Sequence, residues 1–109
     1  MKIPKTIKIG WRIYEVKFID EEIRDKNGDL LDGQIDFNNH IIYIDNGMIY
    51  EDERIVTFVH EVVHGIFHSY CNSKWNDDED LVECVAEGIF QLIKDNPNLF
   101  KWERKYKYG

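Results

Sequence analysis

The chain is poor in the residues that staple, kink or anchor a protein, and each shortage excludes something. It has 109 residues and only two cysteines, Cys71 and Cys84. A disulfide-framed secreted domain is therefore not expected, and two reduced thiols are. The start, Met1-Lys2-Ile3-Pro4-Lys5-Thr6, has no apolar run of the kind that begins a signal peptide. With the thiols, this points to a cytoplasmic protein. No apolar stretch reaches the ~20 residues of a membrane span, so no membrane association is expected. Basic residues are the minority, 14 against 21 acidic, for a net charge of −7. Such a balance disfavours nucleic acid as the main partner. What is present is a folded chain's share of hydrophobic residues, 43 %, in a length that makes one domain.

Two runs near the start alternate in the manner of strands. Ile7 and Ile9 alternate with lysines. Across Trp11–Phe18, Arg12, Tyr14, Val16 and Phe18 take one face and Trp11, Ile13, Glu15 and Lys17 the other. A polar connection follows from Asp20 to Asp32. Its Asp25-Lys26-Asn27-Gly28-Asp29 segment resembles the opening of a calcium loop but has Leu30 where glycine is required, so Asn27-Gly28 reads as a turn. Gly33–Phe37 and His40–Asp45 then form a hairpin through Asn38-Asn39, two residues that tolerate left-handed backbone. About three antiparallel strands are predicted.

The next stretch carries chemistry. In Thr57-Phe58-Val59-His60-Glu61-Val62-Val63-His64-Gly65 the histidines lie four residues apart, which on a helix puts both imidazoles on one face within reach of one metal ion. Glu61 stands beside them as the general base for a zinc-bound water. Chance would give this H-E-x-x-H pattern in roughly one chain of this length in a few hundred. Ile55, Phe58, Val59, Val62, Val63 and Ile66 recur at helical spacing, so the predicted helix, from near Tyr50–Glu53 to about Tyr70, has a face to bury. His68 is too far along the axis, about 12 Å from His60, to share the ion. Gly65 leaves room for a close neighbour, for which the following helix is the candidate. Cys71–Asp78 reads as a polar loop. Asp77-Asp78-Glu79-Asp80 opens a second helix that ends before Asn96-Pro97. The tail, Asn98–Gly109, mixes aromatic and basic residues and reads as a docked terminal helix or arm.

Catalytic zinc takes three protein ligands and leaves a fourth position open. The second helix offers Glu79, Glu83 and Glu87, one turn apart in succession. If the two helices lie antiparallel, Glu83 is the carboxylate level with the histidines.

From His60-Glu61-Val62-Val63-His64-Gly65 through Glu79-Asp80-Leu81-Val82 to Gln91–Pro97, the chain resembles the small zinc metallopeptidases of phages and integrated elements, distant relatives of the ImmA/IrrE-like peptidases. The resemblance covers roughly residues 52 to 97. It implies that Glu79, near the start of the second helix, is the third ligand, against the Glu83 of the simple helix geometry. Glu79 is slightly preferred, with both kept. Phe67 and Tyr70 stand where the metzincin pattern needs glycine and a third histidine.

The expected architecture is α+β, a minimal zincin-like fold with a small antiparallel sheet on the H-E-x-x-H helix and a second long helix behind. The expected activity is hydrolysis of a peptide or protein substrate by a zinc endopeptidase. Its sheet edge, at His40–Asp45, would hold the substrate as an added strand. Tyr43, Tyr70 and His68 are candidates for stabilising the oxyanion. The alternative is a zinc-holding zincin-fold module that contacts a phage or host regulator without cutting it.

Overall fold

The structure, a computed structural model, describes residues 1–101. The strands are β1 (Thr6–Ile9), β2 (Arg12–Ile19), β3 (Ile23–Arg24), β4 (Leu30–Leu31), β5 (Gly33–Asp36) and β6 (Ile41–Asp45). The helices are α1 (Glu51–Tyr70), α2 (Ser73–Asn76) and α3 (Glu79–Asp95). The α+β class is as expected, and the sheet differs from expectation. It has four strands in the order β1-β2-β6-β5, with β2 and β6 parallel and the other two pairs antiparallel. The predicted hairpin forms, with Asp36 opposite Ile41. Its return strand, however, inserts between β5 and β2. The reason is visible in composition: Ile41-Ile42-Tyr43-Ile44 is nearly continuous in apolar residues and suits a strand flanked on both sides. The exposed edge near α1 is therefore β5, not His40–Asp45.

Two local expectations also change. The hairpin turn spans residues 37–40, and His40, not an asparagine, takes the left-handed conformation at φ 58°. Asp36 holds this turn by accepting from the backbone N–H groups of Asn38 and Asn39. The polar connection contains the β3–β4 ribbon, closed at the expected Asn27-Gly28 turn, where Gly28 has φ 85°. There the Asp25 carboxylate accepts from Asn27 N–H and Asp29 N–H.

The alternation in β2 is as read: Tyr14 is fully buried, whereas Trp11 and Ile13 face outward. Ile9, Tyr14, Ile42 and Ile44 are the sheet's buried contribution to the core. α1 lies between the sheet and α3, so it is buried on more than one side. Ile55, Phe58, Val59, Val63 and Phe67 are all buried in it. α3 adds Val82 and Ala86. Gly65 does make room for a neighbour, but that neighbour is the sheet. A Cβ there would lie 2.8 Å from Ile9 Cδ1 and 3.3 Å from Ile35 Cδ1, and nothing from α3 lies as near. Cys71 and Cys84 are free and exposed. Among the described residues no helix is long and apolar enough to cross a membrane. Trp102–Gly109, most of the tail read as a docked helix or arm, lies outside the described residues.

Candidate metal centre

Three elements converge on the two histidines. α1 supplies His60 and His64 from successive turns, their rings 5.0 Å apart. The segment read as a loop contains α2, whose Asn72 cap accepts from Lys74 N–H and whose Trp75 packs edge-on against Phe67 of α1. That contact brings Asn76 to His64. α3 begins at Glu79 because the Asp78 side chain caps it through Leu81 N–H. Glu79 and Glu83 thus occupy its first two turns on one face.

The hydrogen bonds distinguish the two ring nitrogens of each histidine. Nδ1 of His60 lies 2.7 Å from Glu83 Oε2, and Nδ1 of His64 lies 2.6 Å from Asn76 Oδ1. Both partners are acceptors, so both Nδ1 atoms carry the proton and donate. The Nε2 atoms turn the other way, toward one carboxylate: His60 Nε2 is 3.2 Å from Glu79 Oε2, and His64 Nε2 is 3.1 Å from Glu79 Oε1. A neutral imidazole with Nδ1–H has a lone pair at Nε2, and an ionised carboxylate only accepts. Lone pairs facing at this distance repel unless positive charge lies with them. A cation shared by the three groups would offset that repulsion.

A metal fits the donor set. One ligand atom each from His60, His64 and Glu79 lie within 4.8 Å of one another. Two imidazoles and a carboxylate are the mixture a catalytic zinc site uses. Glu83 and Asn76 sit where groups that orient ligating histidines belong, on the nitrogen opposite the metal. Asn76 was not singled out by the sequence reading. The cue was Asn72, a good helix cap preceding Ser-Lys-Trp-Asn.

Glu61 is only 6 % exposed, between His60 and the β5 edge. Burial, followed by the nearby charges of Glu79 and Glu83, pushes its carboxyl up to about 8. Gly33 of β5 is what allows the sheet edge so close to it. A Cβ there would fall 2.7 Å from Thr57 Cγ2 and 3.4 Å from Glu61 Cγ.

Two clefts open from this centre. Both are lined by Leu31, Gly33, His60, Glu61 and Glu79; one continues past Val56, Asp32 and Glu83, the other past Ile35, Phe37, Asn76 and Asp77. A larger apolar groove of about 690 Å³ lies elsewhere, between the start of α1 and the end of α3, and contains none of the centre's residues. Several sequence candidates are not brought to the centre. Glu87 is exposed on α3 and lines neither cleft. Tyr43, alternating with buried Ile42 and Ile44, points away from the core, and Tyr70 is 72 % exposed. His68 stacks on Phe37 at 4.0 Å instead of lining a cleft.

No family model, no curated protein and no solved structure matches the chain.

Proposed function

We propose that this chain is a zinc metallopeptidase, an endopeptidase built on a minimal zincin-like fold, with His60, His64 and Glu79 as metal ligands. One observation carries the reading. Both histidines are held at Nδ1 by other elements of the fold and present Nε2 to a common carboxylate, with a buried, unpaired-looking base one residue from the first ligand.

When bound, zinc would supply Lewis acidity to a substrate carbonyl and to the attacking water. The remaining work falls to the chain. Glu83 and Asn76 fix the two rings, so the ligand atoms need little reorganisation. Glu61 takes a proton from the attacking water and returns it to the departing amine. In the metal-free chain, burial and then the charges of Glu79 and Glu83 raise its carboxyl above the ordinary carboxylate range. The open edge of β5 passes beside Glu61, so an extended substrate can pair with it, in place of the buried β6. The exposed free thiols of Cys71 and Cys84 are consistent with a reducing, cytoplasmic setting.

A second reading, a zinc-holding module that binds a regulator without cutting it, is favoured by the brevity of the β5 edge, four residues. The Glu61→Gln variant separates the two. For a peptidase it keeps zinc and fold and loses at least ~10²-fold in turnover of a peptide or protein substrate. Equal biological function of the variant and the wild type assigns the chain to the module.

A further inference from the structure

The clefts beside Glu61 differ in what else lines them. The one bounded by β5, the β3–β4 ribbon and α2 encloses about 400 Å³ and has an apolar wall of Leu31, Ile35 and Phe37. Phe37 is fixed there by its stack on His68, with the rings 13° from parallel. Asp25 and Asp77 also line it, and no lysine or arginine does. The Asp25 carboxylate is oriented by two backbone N–H groups that bond to one of its oxygens, leaving the other available. Asp77 closes α2 through its backbone, and its side chain has no ion-pair or hydrogen-bond partner among the described residues. Asp25 is flanked in sequence by two cations: Arg24, which is engaged by Glu22 and the Gly28 carbonyl, and Lys26, which does not line the cleft. Glu61, more than nine-tenths buried and without a hydrogen-bond partner among the described residues, faces the same cleft.

We propose that this cleft is the subsite for a lysine or arginine side chain of the polypeptide substrate, its aliphatic stem on Leu31, Ile35 and Phe37 and its cationic end at Asp25 and Asp77. The assignment deepens the peptidase reading and rests on it. A long basic side chain is the one type with both an apolar stem and a charged tip, so it uses both parts of the lining. The ring face of Phe37 adds attraction for a passing cation. An acidic side chain reaching the same place would meet Asp25 and Asp77 with no lysine or arginine in the lining to offset them. The second cleft, lined by Leu30, Leu31 and Val56 with Asp32 and Glu83, also lacks a cation among its lining residues, but its Glu83 is already engaged by His60, which leaves Asp32 alone to meet a basic side chain.

The test uses the zinc-loaded full chain carrying Glu61→Gln, so that bound peptide is not consumed. Fluorescence anisotropy compares labelled alanine hexapeptides that differ at one central residue: lysine, norleucine or glutamate. Exposed charge pairs are weak, so the expected preference for lysine over norleucine is about fivefold, and over glutamate tenfold or more. Adding Asp25→Asn and Asp77→Asn should reduce the lysine preference below about twofold. Both asparagines keep an acceptor in place, and unchanged zinc content and circular dichroism show that the fold is intact. Equal affinity for lysine and norleucine overturns the proposal. So does a preference that survives both substitutions, or no binding of any peptide at millimolar concentration. Cleavage of the lysine peptide by the wild-type chain is scored separately. Selective binding without cleavage sustains the subsite and counts against the peptidase; cleavage without lysine preference does the reverse.

Discussion

At the residue scale, the site divides into groups that sequence places and groups that only folding places. His60, Glu61 and His64 were legible because their relation is local: four residues on a helix bring two side chains to one face. The choice between Glu79 and Glu83 as a candidate ligand was not, because it depends on how α3 meets α1. Here α2 sets that meeting, and Glu79 lies on both Nε2 atoms while Glu83 lies on the Nδ1 of His60. The expected outcome is about one zinc per chain, lost in His60→Ala, His64→Ala and Glu79→Ala. Glu83→Ala and Asn76→Ala should keep it with affinity lowered about 10–100-fold. Competition with a chelator measures this, and loss of zinc in Glu83→Ala with retention in Glu79→Ala would exchange the two roles. Glu61 gives a second prediction, for the metal-free protein. Its carboxyl is raised from 4.5 to about 8, so the folded chain keeps a proton that the unfolded chain releases. That contribution to stability is present in full below pH 4.5 and is lost as pH rises through 8. The loss is on the order of 3–5 kcal/mol if the whole shift is expressed. Glutamine carries no charge to bury. Urea unfolding of metal-free wild type and Glu61→Gln should therefore show the variant gaining in relative stability from pH 5 to pH 8. A gap that does not change with pH would mean that Glu61 is solvated.

At the element scale, the two long helices were legible, α2 was read as a loop, and the sheet was misread in strand number, in the parallel β2–β6 pairing and in which strand forms the edge. Periodicity at 3.6 residues gives α1 and α3 almost to the residue; of the α1 positions it marks, Ile55, Phe58, Val59 and Val63 are buried and Val62 and Ile66 partly so, while Phe67 is buried without that signal. Alternation likewise gives the faces of β2. It cannot give strand order, because the pairing of β2 with β6 joins residues more than twenty positions apart. The hairpin was predicted from adjacent segments, and its two strands do pair. Which of them lies beside α1 as an open edge depends on where the connection from β2 delivers the chain. Two glycines at this interface carry different loads. At Gly33 an added Cβ meets the stiff, branched Thr57 at 2.7 Å and the Tyr43 carbonyl at 3.1 Å. Gly33→Ala should cost about 1–3 kcal/mol in urea unfolding and displace the strand edge from Glu61. At Gly65 the nearest atom is the free end of Ile9. It can turn aside, and alanine favours a helix interior over glycine by up to about 1 kcal/mol. Gly65→Ala should therefore change stability by less than about 1 kcal/mol. Equal costs at the two positions would show that the β5–α1 approach is not the tight one.

At the scale of the whole molecule, the candidate centre ties together layers that are held unequally. The sheet and α1 share most of the buried core, whereas α3 contributes only Val82 and Ala86 as fully buried residues. The other links of α3 to the body include Glu79 and Glu83 on the histidines and the exposed Lys94–Asp52 ion pair at the opposite end. An exposed pair of that kind is screened by solvent and contributes little. The end of α3 at the centre is therefore the one that a metal would fasten, by joining Glu79 of α3 to two ligands of α1. Any cation bound to the folded chain alone stabilises it by mass action, about 4 kcal/mol at a thousandfold excess over its dissociation constant. For a chain of this size, that corresponds to a rise in Tm of roughly 15–30 °C. The effect should also be uneven. Without metal, backbone amides in the first turns of α3 and in α2 should exchange with solvent faster than those of β6 and central α1, and zinc should slow the first group much more than the second. Hydrogen exchange with and without zinc, on wild type and on Glu79→Ala, tests this directly. Protection that rises uniformly over the chain, or that rises equally in Glu79→Ala, would show that the metal does not bridge α1 to α3 through that carboxylate.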